Sequence, residues 1–156
     1  MEVLKMYDVN KIANWFIWYN EYIRNFKNED TDDITNMKLQ KLLFYAQSAF
    51  LAVKGVPLFN NDILAWEHGP VIPEIYDKFK INGNKGITEY NENDLKGIID
   101  DDRDLLIDVY NLFAEYSAWG LRNLTHSENP WKSTKRNNVI TPDKMANTFK
   151  EKYLEA

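Results

Sequence analysis

Ile34-Thr35-Asn36-Met37-Lys38-Leu39-Gln40-Lys41-Leu42-Leu43-Phe44-Tyr45-Ala46-Gln47, continued by Ser48 to Lys54 and stopped at Gly55, is the stretch whose reading decides the fold. Leu39, Leu42, Leu43, Ala46, Phe50 and Val53 recur at i, i+3, i+4 and i+7, the spacing that stacks side chains on one face of an α-helix. Thr35 is placed to cap it, because a hydroxyl there accepts a hydrogen bond from an amide that the first turn leaves unpaired. Gly55 supplies the stop, and Pro57, with no amide hydrogen, keeps the helix from resuming. On this spacing Lys38, Gln40 and Lys41 fall toward the outer side, where solvation is the plain expectation and an ion pair with Glu67 the alternative.

The flanks carry the same period. Asp8 is placed to cap a helix with Val9, Ile12, Ala13, Phe16, Ile23 and Phe26 on one face, which Trp15, Ile17, Trp18 and Tyr19 widen until burial on more than one side is expected. Residues 27–34 are acid-rich and aperiodic, a solvated loop. Beyond Gly55, Ile63 to Trp66 suits a short strand or helix, Gly69-Pro70 reads as a rigid corner, and Pro73 opens a helix carrying Ile75, Tyr76 and Phe79. Asn82 to Gly86 is a turn, and 87–94 is compatible with a short strand. Asp100 to Asp102 precede Leu106, Val109, Tyr110 and Phe113, Ser117 caps a helix holding Leu121 and Leu124, and Pro130-Trp131 makes a turn. After a break at Asn137-Asn138, Thr141-Pro142 starts the last helix, with Met145, Phe149 and Tyr153 inward. The expectation is a mainly α fold: one compact bundle of about six to eight helices, with a short hairpin or small strands near 62–68 and 87–91.

Composition narrows what this fold is for. The 156 residues, 44% hydrophobic, suit one domain spanning 1–156, without an interdomain linker. Zero cysteines remove thiol nucleophiles, disulfides and Cys-based zinc sites. A net charge of −5, from 24 acidic and 19 basic residues, disfavours direct nucleic-acid binding and favours a basic protein partner. Apolar runs fall short of the roughly 20 residues that cross a bilayer, so no membrane association is expected, and no secretory signal opens the chain. A cytoplasmic location follows as the expectation. The acidic runs 29–33 and 100–104 read as solvated charge, with complementarity to a basic cleft as the minority alternative. His68 and His126 stand near Glu67 and Glu128, which makes a metal-assisted hydrolase using His126, Glu128 and perhaps His68 the competing chemical reading. No His-x-x-x-His pair, serine elbow or phosphate loop completes such a site, so neither catalytic residues nor metal or other cofactors are expected.

Three blocks give the chain a resemblance. Lys38 to Gln47 is similar to the "KLQKLLYYAQ" helix of the Panacea antitoxin domain family, and Asp8 to Ala13 precedes it as in that family. Ala65-Trp66-Glu67-His68-Gly69-Pro70-Val71-Ile72-Pro73-Glu74-Ile75-Tyr76, after Pro57-Leu58-Phe59, is similar to the family's "AW.yGPVvpevY", with His68 where tyrosine is common. Leu124-Thr125-His126-Ser127-Glu128-Asn129-Pro130-Trp131 is similar to its "LTH.E.PW". The resemblance, to SocA-like antitoxins and GepA-like phage-associated proteins, implies a domain that neutralises a toxin, often encoded beside it, by direct binding. One branch delivers its toxin to a bacterial AAA+ protease, and a phage or mobile-element protein that inhibits a host defence factor is the related alternative. The family's members with an added DNA-binding domain are longer, and none is expected here.

Within these blocks, Gly69, Pro70, Val71, Pro73, Pro130 and Trp131 are expected to hold shape. Glu67, His68, Trp66, Lys38, Lys41, His126 and Glu128 are the candidates for touching a partner, Glu67 and His68 foremost, because polar side chains need partners if buried. The plain account of His126 is a ring bonded to a backbone carbonyl or to Glu128, fixing the turn into Pro130-Trp131.

Overall fold

The computed structural model describes residues 6–27 and 30–154. Residues 1–5, read above for a secretory signal, and residues 28–29 of the acidic loop lie outside them. Seven α-helices occur among the described residues: α1 (Val9–Phe26), α2 (Asn36–Lys54), α3 (Pro73–Phe79), α4 (Asp100–Phe113), α5 (Ala118–Ser127), α6 (Asn129–Lys132) and α7 (Pro142–Phe149). A two-stranded antiparallel sheet, β1 (Leu64–Trp66) and β2 (Gly69–Val71), lies between α2 and α3. The fold is thus mainly α with a small hairpin, as the spacing indicates.

Caps fall where side-chain chemistry places them. Asp8 accepts from the Asn10 amide, Thr35 from Lys38, Ser117 from Gly120 and Thr141 from Lys144, and Gly55 ends α2 at φ 73°. Thr35→Ala, which orphans one amide at the start of the central helix, is expected to cost about 1 kcal/mol in urea unfolding. A cost below a few tenths would show that water replaces the hydroxyl.

The centre of the molecule is α2. It packs against α1, α3, α4, α5, α7 and β2, and every residue from Lys38 to Phe50 is buried. This corrects the reading of Lys38, Gln40 and Lys41 as an outer, solvated side, for the helix has no outer side over these turns. Polar side chains at its surface therefore hydrogen-bond to neighbouring backbone, as buried groups must. Gln47 accepts from the Leu58 amide at 2.7 Å and donates to the Phe59 carbonyl at 2.9 Å, which fixes the bend after Gly55. Asn36 donates to the Tyr76 carbonyl at 3.1 Å and accepts from Gln40, whose own carbonyl takes the Ile72 amide at 2.8 Å. Lys38 Nζ donates to the carbonyl of Ala114, the C-cap of α4, where a cation meets the negative end of the helix dipole.

Two further differences concern the strands. The Asn137-Asn138 break is a third lane on β1: the Ala65 amide donates to Asn138, Asn137 to the Ala65 carbonyl at 2.8 Å, and Ile140 to Ile63 at 2.8 Å. Asn137 reaches this register at φ 70°, a left-handed conformation asparagine tolerates. The strand entertained at 87–91 reduces to one bridge between Ile87 and Ile34. Nor are the acidic runs uniformly solvated, since Asp102 is buried and takes the Tyr7 hydroxyl at 2.6 Å and Lys54 at 2.5 Å. Burial first, then Asp102, pushes the Tyr7 hydroxyl up to about 12, so it stays a donor. No helix among the described residues is long and apolar enough to cross a membrane.

Candidate partner-binding site

The second sequence block folds as the hairpin. Trp66 pairs with Gly69 in register, leaving Glu67 and His68 as a two-residue tip, both exposed. The Gly69-Pro70 corner of the sequence reading is therefore the start of β2. The tip residues keep negative φ, and the positive φ that returns the chain is taken by Gly69 at 118°. Space demands glycine here as well: a Cβ would lie 2.7 Å from Lys41 Cε and 3.0 Å from Thr125 Oγ1. Gly69, Pro70 and Val71 are buried, and the Trp66 ring meets the Tyr76 ring edge-on at 5.3 Å.

The third block divides into two environments. The Trp131 indole donates to the Trp66 carbonyl at 2.7 Å, which ties this block to the hairpin. The His126 ring stacks on Trp131 at 3.7 Å, and the Arg136 guanidinium lies 3.7 Å over the same indole. Burial, then the charges of Arg122 and Lys41, lower the His126 pKa against an opposing hydrogen bond with the Glu67 backbone. His126 Nε2 is buried without a hydrogen-bond partner, so the ring is held chiefly by its stacking on Trp131 rather than by a bond to Glu128. Glu128 instead faces the bundle: one oxygen takes the Tyr45 hydroxyl at 2.5 Å, and the other takes Tyr153 at 2.5 Å and Lys152 at 3.2 Å. The structure does not bring His126 and Glu128 into one ligand set. Among the described residues no cluster of three or more His, Asp or Glu side chains is positioned to hold a metal.

Lys41 comes closest to the hairpin from below. It is 3% exposed, its nearest acceptor is the Pro70 carbonyl at 3.4 Å, and burial, aided by the Arg122 charge, brings its pKa down to about 7. No carboxylate lies within ion-pair distance of it among the described residues. The pairing with Glu67 considered from the sequence is not formed, nor is one between Glu67 and Lys38.

Beside the hairpin tip opens a cleft of about 430 Å³, walled by Lys41, His68, Val71, Tyr76, Lys80 and Trp119 with the start of α2. Trp119 is 55% exposed. Arg122 lies 4.3 Å over its ring and donates to His68 Nδ1 at 3.2 Å, so α5 and the hairpin tip form one rim. Trp119, Arg122 and Lys80 escape the sequence reading. The available signal is that Trp119 sits off the Leu121 and Leu124 stripe, a large aromatic on the polar side of its helix.

Architecturally, the three blocks form a small helical domain in which a buried α2 carries a short hairpin whose polar tip faces solvent. The family model "Antitoxin SocA-like, Panacea domain" matches residues 39–132, and this chain belongs to that family. A stretch of 54 residues is 50% identical to the antitoxin SocA of Caulobacter vibrioides (strain NA1000 / CB15N), covering 35% of this chain and 29% of that protein. The matched stretch thus spans under a third of the relative's length. No solved structure matches the chain.

Proposed function

We propose that the chain is the antitoxin of a toxin–antitoxin pair and acts without catalysis, by binding its toxin through the face made of the hairpin tip, the adjoining cleft and Trp119. The observation that carries this reading is the division of labour within the three blocks and the adjoining start of α5. Trp66, Gly69, Pro70, Gln40 and Trp131 have packing partners or hydrogen bonds inside the fold, whereas Glu67, His68 and Trp119 are exposed beside a cleft. An exposed aromatic beside an ordered polar tip is the composition of a protein interface, where tryptophan and arginine dominate the binding energy. Family membership supports the partner class, and the acidic net charge suits a basic toxin.

Binding is the step that occlusion of a toxin and its delivery to an AAA+ protease share, and toxin half-life in cells separates those two outcomes. Co-expression of the chain with the product of the neighbouring reading frame tests the reading. Restored growth together with co-purification of the pair is expected, and loss of both would remove the antitoxin assignment. Glu67→Ala with His68→Ala is expected to weaken toxin binding about tenfold, a loss of about 1.4 kcal/mol, at unchanged thermal stability. Unchanged affinity in that double variant would move the interface off the hairpin.

A further inference from the structure

The charges around the cleft run against the composition of the chain. Acids outnumber lysines and arginines 24 to 19 overall, yet no aspartate or glutamate lines the cleft, whereas Lys41 and Lys80 do. Arg122 adds a third cation at the rim, where it donates to His68. Lys41 is the unusual member: it is almost fully buried, with only a long contact to one carbonyl at 3.4 Å, outside the range of a good N–H···O bond. Removing an ammonium group from water without a counter-charge costs free energy that an incoming anion offsets. Met37, Val71, Tyr76 and the exposed Trp119 supply the apolar part of the wall. At about 430 Å³ the space admits a side chain and its neighbours rather than a folded surface.

Resting on the antitoxin reading above, we infer that this cleft is a receptor for a carboxylate carried on a projecting segment of the toxin, the carboxylate meeting Lys41 and an adjacent apolar group covering Trp119 and Tyr76. The wider toxin surface stays basic, meeting the acidic remainder of this chain, while one acidic side chain or chain terminus enters the basic cleft and fixes the register. A desolvated, charge-assisted contact of this kind contributes to both affinity and partner choice.

The test uses the purified chain first without any toxin. In NMR titrations, phenylacetate is expected to shift the Trp119 indole and the hairpin amides, and its neutral isostere phenylacetamide to bind at least about tenfold more weakly, because only the former carries the charge. Lys41→Met is expected to abolish this preference, and Trp119→Ala, at an exposed position, to weaken both compounds alike. Equal binding of acid and amide, or a preference that survives Lys41→Met, would overturn the inference. So would inorganic phosphate shifting the same signals at lower concentration than phenylacetate, which would identify a free phosphate ligand. Toxin capture then separates the two readings: a Lys41→Met chain that captures toxin as the wild type does sinks the carboxylate receptor alone. A wild-type chain that captures none sinks the antitoxin reading, and the toxin as the source of the carboxylate with it.

Discussion

Glu128→Ala is expected to lower the stability of the domain by about 2–4 kcal/mol, because it removes the carboxylate that accepts from the buried Tyr45 hydroxyl and from the half-buried Tyr153 hydroxyl. For a chain of this length that corresponds to a fall of roughly 4–16 °C in Tm. Glu128 is 3% exposed and joins three segments distant in sequence: Tyr45 of α2, the α5–α6 junction where it resides, and Tyr153 with Lys152 in the turn that follows α7. Tyr45 stacks on Phe113 at 3.9 Å, so its hydroxyl cannot swing to water without breaking a ring contact. Burial first, then the Glu128 charge, hold both tyrosines well above their ordinary range, which keeps them protonated donors at any physiological pH. Lys152, still 44% exposed, rehydrates when the carboxylate is removed and adds little to the loss. Glu128→Gln keeps the shape and one acceptor oxygen and is expected to cost about half as much. Urea unfolding followed by circular dichroism measures the series. An alanine variant within about 0.5 kcal/mol of wild type would mean that water enters and satisfies both hydroxyls.

That network shows what was legible in the sequence and what was not. Caps at Asp8, Thr35 and Ser117 depend on the bond a side chain makes to backbone a few residues away, the stop at Gly55 on a left-handed φ that glycine adopts freely, and all four stand where they are expected, as does the helix start at Thr141-Pro142. The apolar faces of α4 and α7 follow directly from their spacing. The surroundings of α2 do not, because spacing identifies one buried face and is silent about helices arriving on the others. Lys38 and Lys41 looked solvated for that reason. Lysine is the residue for which the error is easiest, its long apolar stem being as compatible with burial as its ammonium is with water. The hairpin was blurred by a different cause: Glu67-His68 lacks the Asn-Gly type of tip that announces a two-residue turn, and the positive φ sits one residue later, at Gly69. The Asn137–Ile140 lane pairs with β1 across more than 60 residues of chain, a register that no local pattern encodes. The candidate site divides along the same line: the tip residues Glu67 and His68 were readable as polar members of an apolar block, whereas Trp119 and Arg122 join them only through the packing of α5 against β2.

Lys41→Met is expected to make the domain more stable, by on the order of 1–4 kcal/mol at neutral pH, since exchanging a buried ionic group for a hydrophobic one of similar volume is frequently stabilising. The physical cause is the unpaired ammonium. Arg122 and His126 of α5 lie near it and His68 of the hairpin shares its cleft, groups that are basic rather than acidic. Its pKa falls from the ordinary 10.5 to about 7, so between those values the unfolded chain holds a proton that the folded chain has released. Stability rises with pH wherever the unfolded state binds more protons. The wild type should therefore gain stability from about pH 7 up toward the normal lysine range, and below about 7 should carry the full cost of the buried charge. The methionine variant lacks this rise, and the gap between the two chains is expected to be widest in the acid half of the range and to narrow as pH increases. Paired urea titrations at pH 6 and pH 9 read it directly. A variant less stable than wild type at both pH values would mean that the Lys41 contact with the Pro70 carbonyl outweighs the desolvation of its charge. A stabilising Lys41→Met would mark the ammonium, held under a glycine whose φ and packing leave no room for a side chain, as a sacrifice of stability at one point, and under the proposed carboxylate contact the incoming anion offsets it.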